Sequence, residues 1–147
     1  MAKLNLNALP LPKRRVETKT FSDKEVPGAE ITFTLRRLLV SEQTAAFDAA
    51  AAWWEFNEGN EFALGENQTF FVGDGGNNPP EGQVFGTLSF IRQVFLIQAM
   101  QTGDPEGVYS ELDIIRFLVK MPTAASSLVT WVGQIQGTQK TDAEGNL

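Results

Sequence analysis

The sequence predicts an α+β fold that is mostly α, with a helical core of about four helices and a small N-terminal strand or hairpin. Three observations lead to this prediction. Apolar and polar residues alternate over residues 29–40, which is the period of a half-buried strand. Apolar residues recur at helical spacing within residues 41–57, 83–101 and 110–137. Stretches rich in Gly, Pro and Asn separate these segments, as turns and loops do.

Residues 1–24 are predicted to form an extended N-terminal arm. Asn and Pro residues disfavour a regular helix there, and the basic run of Lys13, Arg14 and Arg15 favours contact with water. Two interpretations remain open, a flexible terminus or an arm that becomes ordered on a neighbouring subunit. The basic residues are candidates for contact with an acidic partner or with the acidic body of the same chain.

The alternation that predicts the first strand places Ile31, Phe33 and Leu35 on one face. Residues 16–21 alternate in the same way, so we expect them to pair with this strand as an antiparallel hairpin. Pro27 and Gly28 precede the strand and are typical of a turn.

The first helix is predicted to begin at Ser41, whose hydroxyl is a suitable N-cap, and to run to about Asn57. An irregular loop is expected over residues 58–83, with a short strand near residues 67–72. The second helix is predicted from Gln83 to Gln101 and is apolar on nearly all sides. Such a helix belongs at the centre of the domain or of an oligomer.

Ser110, followed by Asp113, predicts the start of a third helix. Pro122 then either kinks that helix or begins a fourth one. Gly137 is the expected helix end, and the polar residues 138–147 are predicted to form a tail. The chain is therefore expected to hold one domain, over residues 25–137.

Composition excludes several classes of site. The chain has no Cys and no His, which removes disulfides, thiol nucleophiles, imidazole bases and Cys/His zinc sites. No cofactor, metal or catalytic residue is predicted, so we expect a protein that is not an enzyme. The net charge of −6 disfavours nucleic-acid binding, and no segment has the length and apolarity of a membrane span or a signal peptide.

Trp53 and Phe56 are the candidate binding residues on the first helix. Trp54 shares the core-facing stripe with Phe47, and adjacent helical residues point about 100° apart, so Trp53 must face elsewhere. Either Trp53 and Phe56 form an exposed protein-binding surface, or they pack beneath the Phe-rich residues 62–72. The sequence leaves both interpretations open.

The order of these segments resembles a known family. A strand that ends in basic residues (31–38) is followed by the capped helix 41–57, a Gly/Asp-rich loop, and a C-terminal helical pair that begins near Tyr109-Ser110-Glu111-Leu112 and continues from Met121-Pro122 to Ile135. This layout, over about residues 25–137, is similar to the small tail assembly chaperones of long-tailed bacteriophages.

The resemblance implies a helix-rich protein that self-associates, binds the tape-measure protein and recruits tail-tube subunits during assembly in the cytoplasm of the bacterial host. It also implies that a longer, frameshifted form of the chain exists. Two alternatives remain open, a virion structural protein (a capsid decoration or tail component) that uses its N-terminal arm for subunit contacts, and a small helical module of a bacterial host.

Overall fold

The computed structural model describes residues 14, 16–23, 26–65, 67–74, 81–103 and 105–145, without the side chains of residues 27, 105 and 138–145. Its strands are β1 (Val16–Asp23), β2 (Val26–Arg36), β3 (Glu61–Gly65), β4 (Gln68–Val72) and β5 (Gln83–Gly86). Its helices are α1 (Val40–Asn57), α2 (Leu88–Met100), α3 (Glu111–Lys120) and α4 (Pro122–Gly145). This confirms an α+β fold that is mostly α, with an N-terminal hairpin.

The hairpin pairs β1 with β2 in antiparallel register, with Val16 opposite Arg36 and Phe21 opposite Ile31. Phe33 and Leu35 are buried in the core, as the alternation predicted, whereas Ile31 on the same face is half-buried. Phe21 of β1 is buried on that face as well. The other face is polar, and the hydroxyls of Thr18 and Thr20 hydrogen-bond those of Thr34 and Thr32 at 2.9 and 2.8 Å.

The turn predicted at Pro27 and Gly28 was wrong, because both residues belong to β2. The pairing passes from Ser22 opposite Glu30 to Asp23 opposite Val26, so the intervening residues of β2 form an irregularity in the ladder. Gly28 has a φ of 81°, a backbone conformation that suits glycine at such a position.

The segment expected to be an irregular loop contains a second sheet, so that expectation was wrong for its described part. β3 and β4 form an antiparallel hairpin, and β5 pairs in parallel with β4. The short strand predicted near residues 67–72 is therefore present as β4. Val84 and Phe85 belong to β5 rather than to the second helix, whose start is set by the Thr87 hydroxyl accepting from the Phe90 N–H at 3.3 Å.

The first helix begins one residue before Ser41, so the predicted Ser41 cap was also wrong. The Glu42 carboxylate instead accepts from the Leu39 N–H at 2.9 Å, which satisfies one donor that lies ahead of the first turn. The Ser110 cap is confirmed, because its hydroxyl accepts from the Asp113 N–H at 3.3 Å. Pro122 begins a new helix, which was one of its two predicted roles.

The backbone of α4 remains helical to Gly145, so the predicted helix end at Gly137 was wrong. Glycine within a helix costs only about 1 kcal/mol relative to alanine, and neighbouring helical residues can absorb that cost. The tail predicted over residues 138–147 therefore has a helical backbone up to residue 145, and residues 146–147 lie outside the described part.

Helix α2 lies at the centre of the core, which was one of the two placements predicted for it. Six of its residues are buried, namely Ile91, Val94, Phe95, Leu96, Ile97 and Met100. Beside it the hairpin and the last two helices meet in an aromatic cluster. Phe21 contacts Phe33, Phe117 and Trp131 with ring centroids 6.3, 6.4 and 5.7 Å apart, an arrangement that joins β1, β2, α3 and α4.

Two glutamine side chains each hydrogen-bond both the N–H and the carbonyl of one residue outside the helices and strands, as a neighbouring strand does. The Gln136 amide accepts from the Leu38 N–H at 2.6 Å and donates to the Leu38 carbonyl at 3.2 Å. Gln101 does the same for Tyr109, at 2.8 and 2.9 Å. These contacts satisfy backbone groups between elements that have no ladder of their own. They join the β2–α1 connection to α4 and the end of α2 to the start of α3.

Candidate protein-binding surfaces

Trp53 is part of the packing between α1 and its neighbours. It is half-buried, stacks on Phe62 of β3 with ring centroids 5.9 Å apart, and contacts Phe95 of α2 at 6.1 Å. The adjacent Trp54 donates its indole N–H to the Gly86 carbonyl at 3.0 Å. Both tryptophans therefore hold the second sheet against α1, and Trp53 adopts the packed arrangement that the sequence left open.

Phe56 lies apart from Trp53, with 85% of its surface exposed at the end of α1. Ala45, Ala49 and Ala52 are also exposed on this helix. The structure therefore does not bring the two predicted aromatic residues together on one open surface. Phe56 alone remains a candidate for contact with another molecule.

The described end of the basic arm contacts the body of its own chain. Arg14 donates to both carboxylate oxygens of Glu42, at 2.8 and 3.1 Å, and Arg36 approaches the same carboxylate at 3.8 Å. The hydrogen bond from the Leu39 N–H is the largest effect that holds the pKa of Glu42 below its ordinary value of 4.5; desolvation opposes it, and Arg14 and Arg36 lower the pKa further. Lys13 and Arg15, the other basic candidates, lie outside the described residues.

An open groove of about 760 Å³ runs between the hairpin and the junction of α3 with α4. Phe117 and Met121 form its buried floor, and half-buried Ile31, Tyr109 and Val119 form its walls. The exposed charged side chains of the groove are Glu30, Arg116 and Lys120, and Val26 and Pro122 are exposed as well. The sequence did not reveal this surface, because four separate segments of the chain build it.

The acidic residues Glu55, Glu58 and Glu61 are all exposed, and Glu61 accepts from the Gln83 amide at 3.1 Å. Paired-carboxylate catalysis requires two acids in different environments, which these three do not have. Within the described ranges, no group of three or more acidic residues is arranged to hold a metal ion. No helix among the described residues has the length and apolarity needed to cross a bilayer.

Comparison of the chain with protein-family models, with curated proteins and with solved structures gave no match.

Proposed function

We propose that this chain is a non-enzymatic bacteriophage protein that works by binding other proteins, as a tail assembly chaperone for the tape-measure protein and tail-tube subunits. Its place of action is the cytoplasm of the host during virion assembly. The segment order that resembles this family supports the proposal, and the groove beside the α3–α4 junction is the observation that carries it.

The groove has the properties that an apolar client segment requires. Its volume of about 760 Å³ accommodates several side chains, and aromatic and aliphatic groups form its floor and walls. The charged groups lie on the exposed rim. Peptide-binding grooves commonly have this arrangement, in which an amphipathic helix places its apolar face against the floor.

The charges at the rim of the groove are close to balanced. Arg116 and Lys120 are positive and Glu30 is negative, and the Asp113 carboxylate lies 3.5 Å from the Arg116 guanidinium and offsets its charge. The apolar floor and walls are therefore the part of the groove that selects a client segment.

Co-expression with the tape-measure protein encoded in the same genome tests this function. Val26→Lys introduces a third cation at the groove, where the side chain is 37% exposed, and Val108→Lys makes the same change outside the groove at 38% exposure. We expect co-purification of the tape-measure protein with the wild-type chain and with Val108→Lys. Affinity for Val26→Lys should fall by roughly tenfold or more.

If the two lysine variants bound the tape-measure protein equally well, the groove would not be its binding site. Failure of the wild-type chain to retain either tape-measure or tail-tube protein would remove the chaperone function itself. Thermal unfolding of both variants shows whether any loss of binding reflects loss of fold.

The second candidate function is a virion structural protein. One observation favours a structural role. The contact between Arg14 and Glu42 places the described end of the basic arm at the surface, beside the start of α1. Mass spectrometry of infected cells and of purified particles separates the two functions. A chaperone is absent from the finished particle and is accompanied in cells by a longer product that shares residues 1 to about 137. A structural protein is present in the particle at high copy.

A further inference from the structure

The Glu42 carboxylate at the start of α1 holds three groups at once. Its Oε1 accepts from the Leu39 N–H at 2.9 Å and from the Arg14 guanidinium at 2.8 Å. Its Oε2 accepts from the same Arg14 nitrogen at 3.1 Å, and the Arg36 guanidinium lies 3.8 Å from this oxygen. Leu39 and Arg36 belong to the end of β2 and its connection to α1, whereas Arg14 precedes β1. Arg14 thus joins the segment ahead of the hairpin to a carboxylate that the folded body already uses.

The contact between Arg14 and Glu42 is accessible to a competing anion. The Arg14 side chain is 29% exposed and that of Glu42 is 32% exposed, so solvent reaches both. An ion pair at this exposure contributes little free energy, and salt screens it further. Detachment of Arg14 leaves the carboxylate with the Leu39 N–H and beside Arg36, so the start of α1 keeps its hydrogen bond. Arg14 can therefore leave and return while the fold stays intact.

We infer that Arg14 exchanges between two carboxylate partners, Glu42 of its own chain and a Glu or Asp residue of an acidic protein segment. Lys13 and Arg15 flank Arg14 in the sequence, so the basic run 13–15 offers three adjacent positive charges to such a segment. In the free chain Glu42 holds the central charge of this run and competes with the partner. The contact within the chain lowers the affinity of the run for acidic segments, because only detached molecules bind them with all three charges.

Two observations favour an acidic protein segment over a nucleic acid as the partner. Arg14 already binds a carboxylate, and a carboxylate of the partner replaces it in the same contact. Nucleic-acid-binding proteins commonly neutralise about six to ten phosphates along a uniformly charged backbone. The basic run supplies three charges on a chain whose net charge is −6, so a long polyanion is repelled by the remaining surface. A short acidic stretch of a protein matches the run without that extended repulsion.

Fluorescence anisotropy of a short, fluorescein-labelled poly-Glu peptide at low ionic strength tests the exchange. Glu42→Gln removes the internal competitor and should tighten binding of the peptide by roughly threefold. Loss of any negative charge also favours an acidic peptide, and Asp48→Asn measures that general gain, because Asp48 is an exposed acid on the same helix. The exchange predicts that Glu42→Gln binds the peptide more tightly than Asp48→Asn does, although the two variants have the same net charge.

The additional gain of Glu42→Gln should depend on Arg14. Arg14→Gln by itself should weaken binding of the peptide, because it removes the central charge of the basic run. In the Arg14→Gln background, Glu42→Gln should improve binding no more than Asp48→Asn does, since Glu42 then has no Arg14 to withhold from the peptide. Circular dichroism at the temperature of the assay confirms that each variant is folded.

NMR spectroscopy of the wild-type chain gives a second test that needs no variant. Saturation with unlabelled poly-Glu peptide should shift the resonance of the Glu42 side-chain carboxyl carbon, because Arg14 leaves it. The corresponding resonance of Glu55, an exposed acid near the other end of α1, is the internal control and should stay in place.

Equal affinity of Glu42→Gln and Asp48→Asn for the peptide, or an unchanged Glu42 resonance at saturation, would overturn the exchange. A gain that persisted in full in the Arg14→Gln background would also contradict it, because Glu42 would then repel the peptide without competing for Arg14. Absence of peptide binding, or tighter binding of an oligothymidylate of equal charge, would rule out an acidic protein segment as the partner. None of these outcomes depends on whether the tape-measure protein binds the groove.

Discussion

Replacement of Gln136 by alanine should lower the stability of the chain by disconnecting α4 from the β2–α1 connection. The change removes the two hydrogen bonds to Leu38, at 2.6 and 3.2 Å, and leaves the N–H and carbonyl of Leu38 without their partner. It also removes a longer hydrogen bond from the Gln136 amide to the side-chain oxygen of Gln43, at 3.5 Å. The Leu38 side chain is 2% exposed, so its surroundings are closely packed on one side. Gln136 is half-buried, so water reaches the vacated groups in part.

These observations set the magnitude of the effect. Two intramolecular hydrogen bonds contribute about 1 kcal/mol each, and a buried group left without a partner adds a further cost. Partial access of water limits that cost, and alanine regains a few tenths of a kcal/mol in helix propensity. We therefore expect a loss of about 1–3 kcal/mol in the free energy of unfolding. In a chain of this size that corresponds to a fall in Tm of about 3–10 °C.

Thermal and urea unfolding followed by circular dichroism measure this loss. Thr130→Ala, which truncates an exposed residue of the same helix, is the matched control; it should leave the Tm unchanged or raise it slightly, because alanine has the higher helix propensity. Gln136→Glu keeps the acceptor and removes the donor, so it should still accept from the Leu38 N–H while leaving the carbonyl unpaired. If Gln136→Ala melted at the wild-type temperature, the side chain would not hold these backbone groups in solution.

Two further predictions concern the second sheet and the start of α1. Gly86→Ala should destabilise the chain by about 1–3 kcal/mol in urea unfolding, because a Cβ at this buried position would overlap the ring of Phe70; wild-type stability would show that the ring moves aside freely. Glu42→Gln should lower the Tm at neutral pH by removing the carboxylate that accepts from Leu39 and Arg14. Since the folded-state pKa of Glu42 lies below 4.5, its contribution is present above that pH and is lost as the pH falls through the folded-state value. The Tm difference between Glu42→Gln and wild type should therefore vanish in acid, and a difference that persisted there would contradict the assigned contacts.

The signals that predicted structure correctly are local. Ser110 needs only the N–H of a residue three positions later to begin α3, and Pro122 begins α4 because its fixed φ suits a first helical position. The alternation of apolar and polar residues in β2 indicates that one face of the strand is buried, whichever segment of the chain covers that face. Such features depend on neighbours within one turn or one strand, so they can be inferred from the residue order.

Two of the wrong predictions have a non-local cause. Residues 83–86 have an apolar pattern compatible with a helix, yet their backbone hydrogen-bonds β4 in a parallel ladder. Residues 61–65 form a strand because β4 pairs with them. In both cases a partner elsewhere in the chain outweighs a weak local preference. The start of α1 is different, because the contact between Glu42 and the Leu39 N–H is local.

The sequence by itself determined the fold class, most of the helices, the polar and apolar faces of the hairpin, and the absence of Cys and His chemistry. Only the tertiary structure decided which candidate residues are available to a partner. Trp53 packs because Phe62 and Phe95 lie against it, whereas Phe56, three residues later, is exposed. The groove depends on where the hairpin and the α3–α4 junction come together. Surface availability is a property of contacts between distant segments, and the free energy of those contacts comes from burial that no single segment achieves alone.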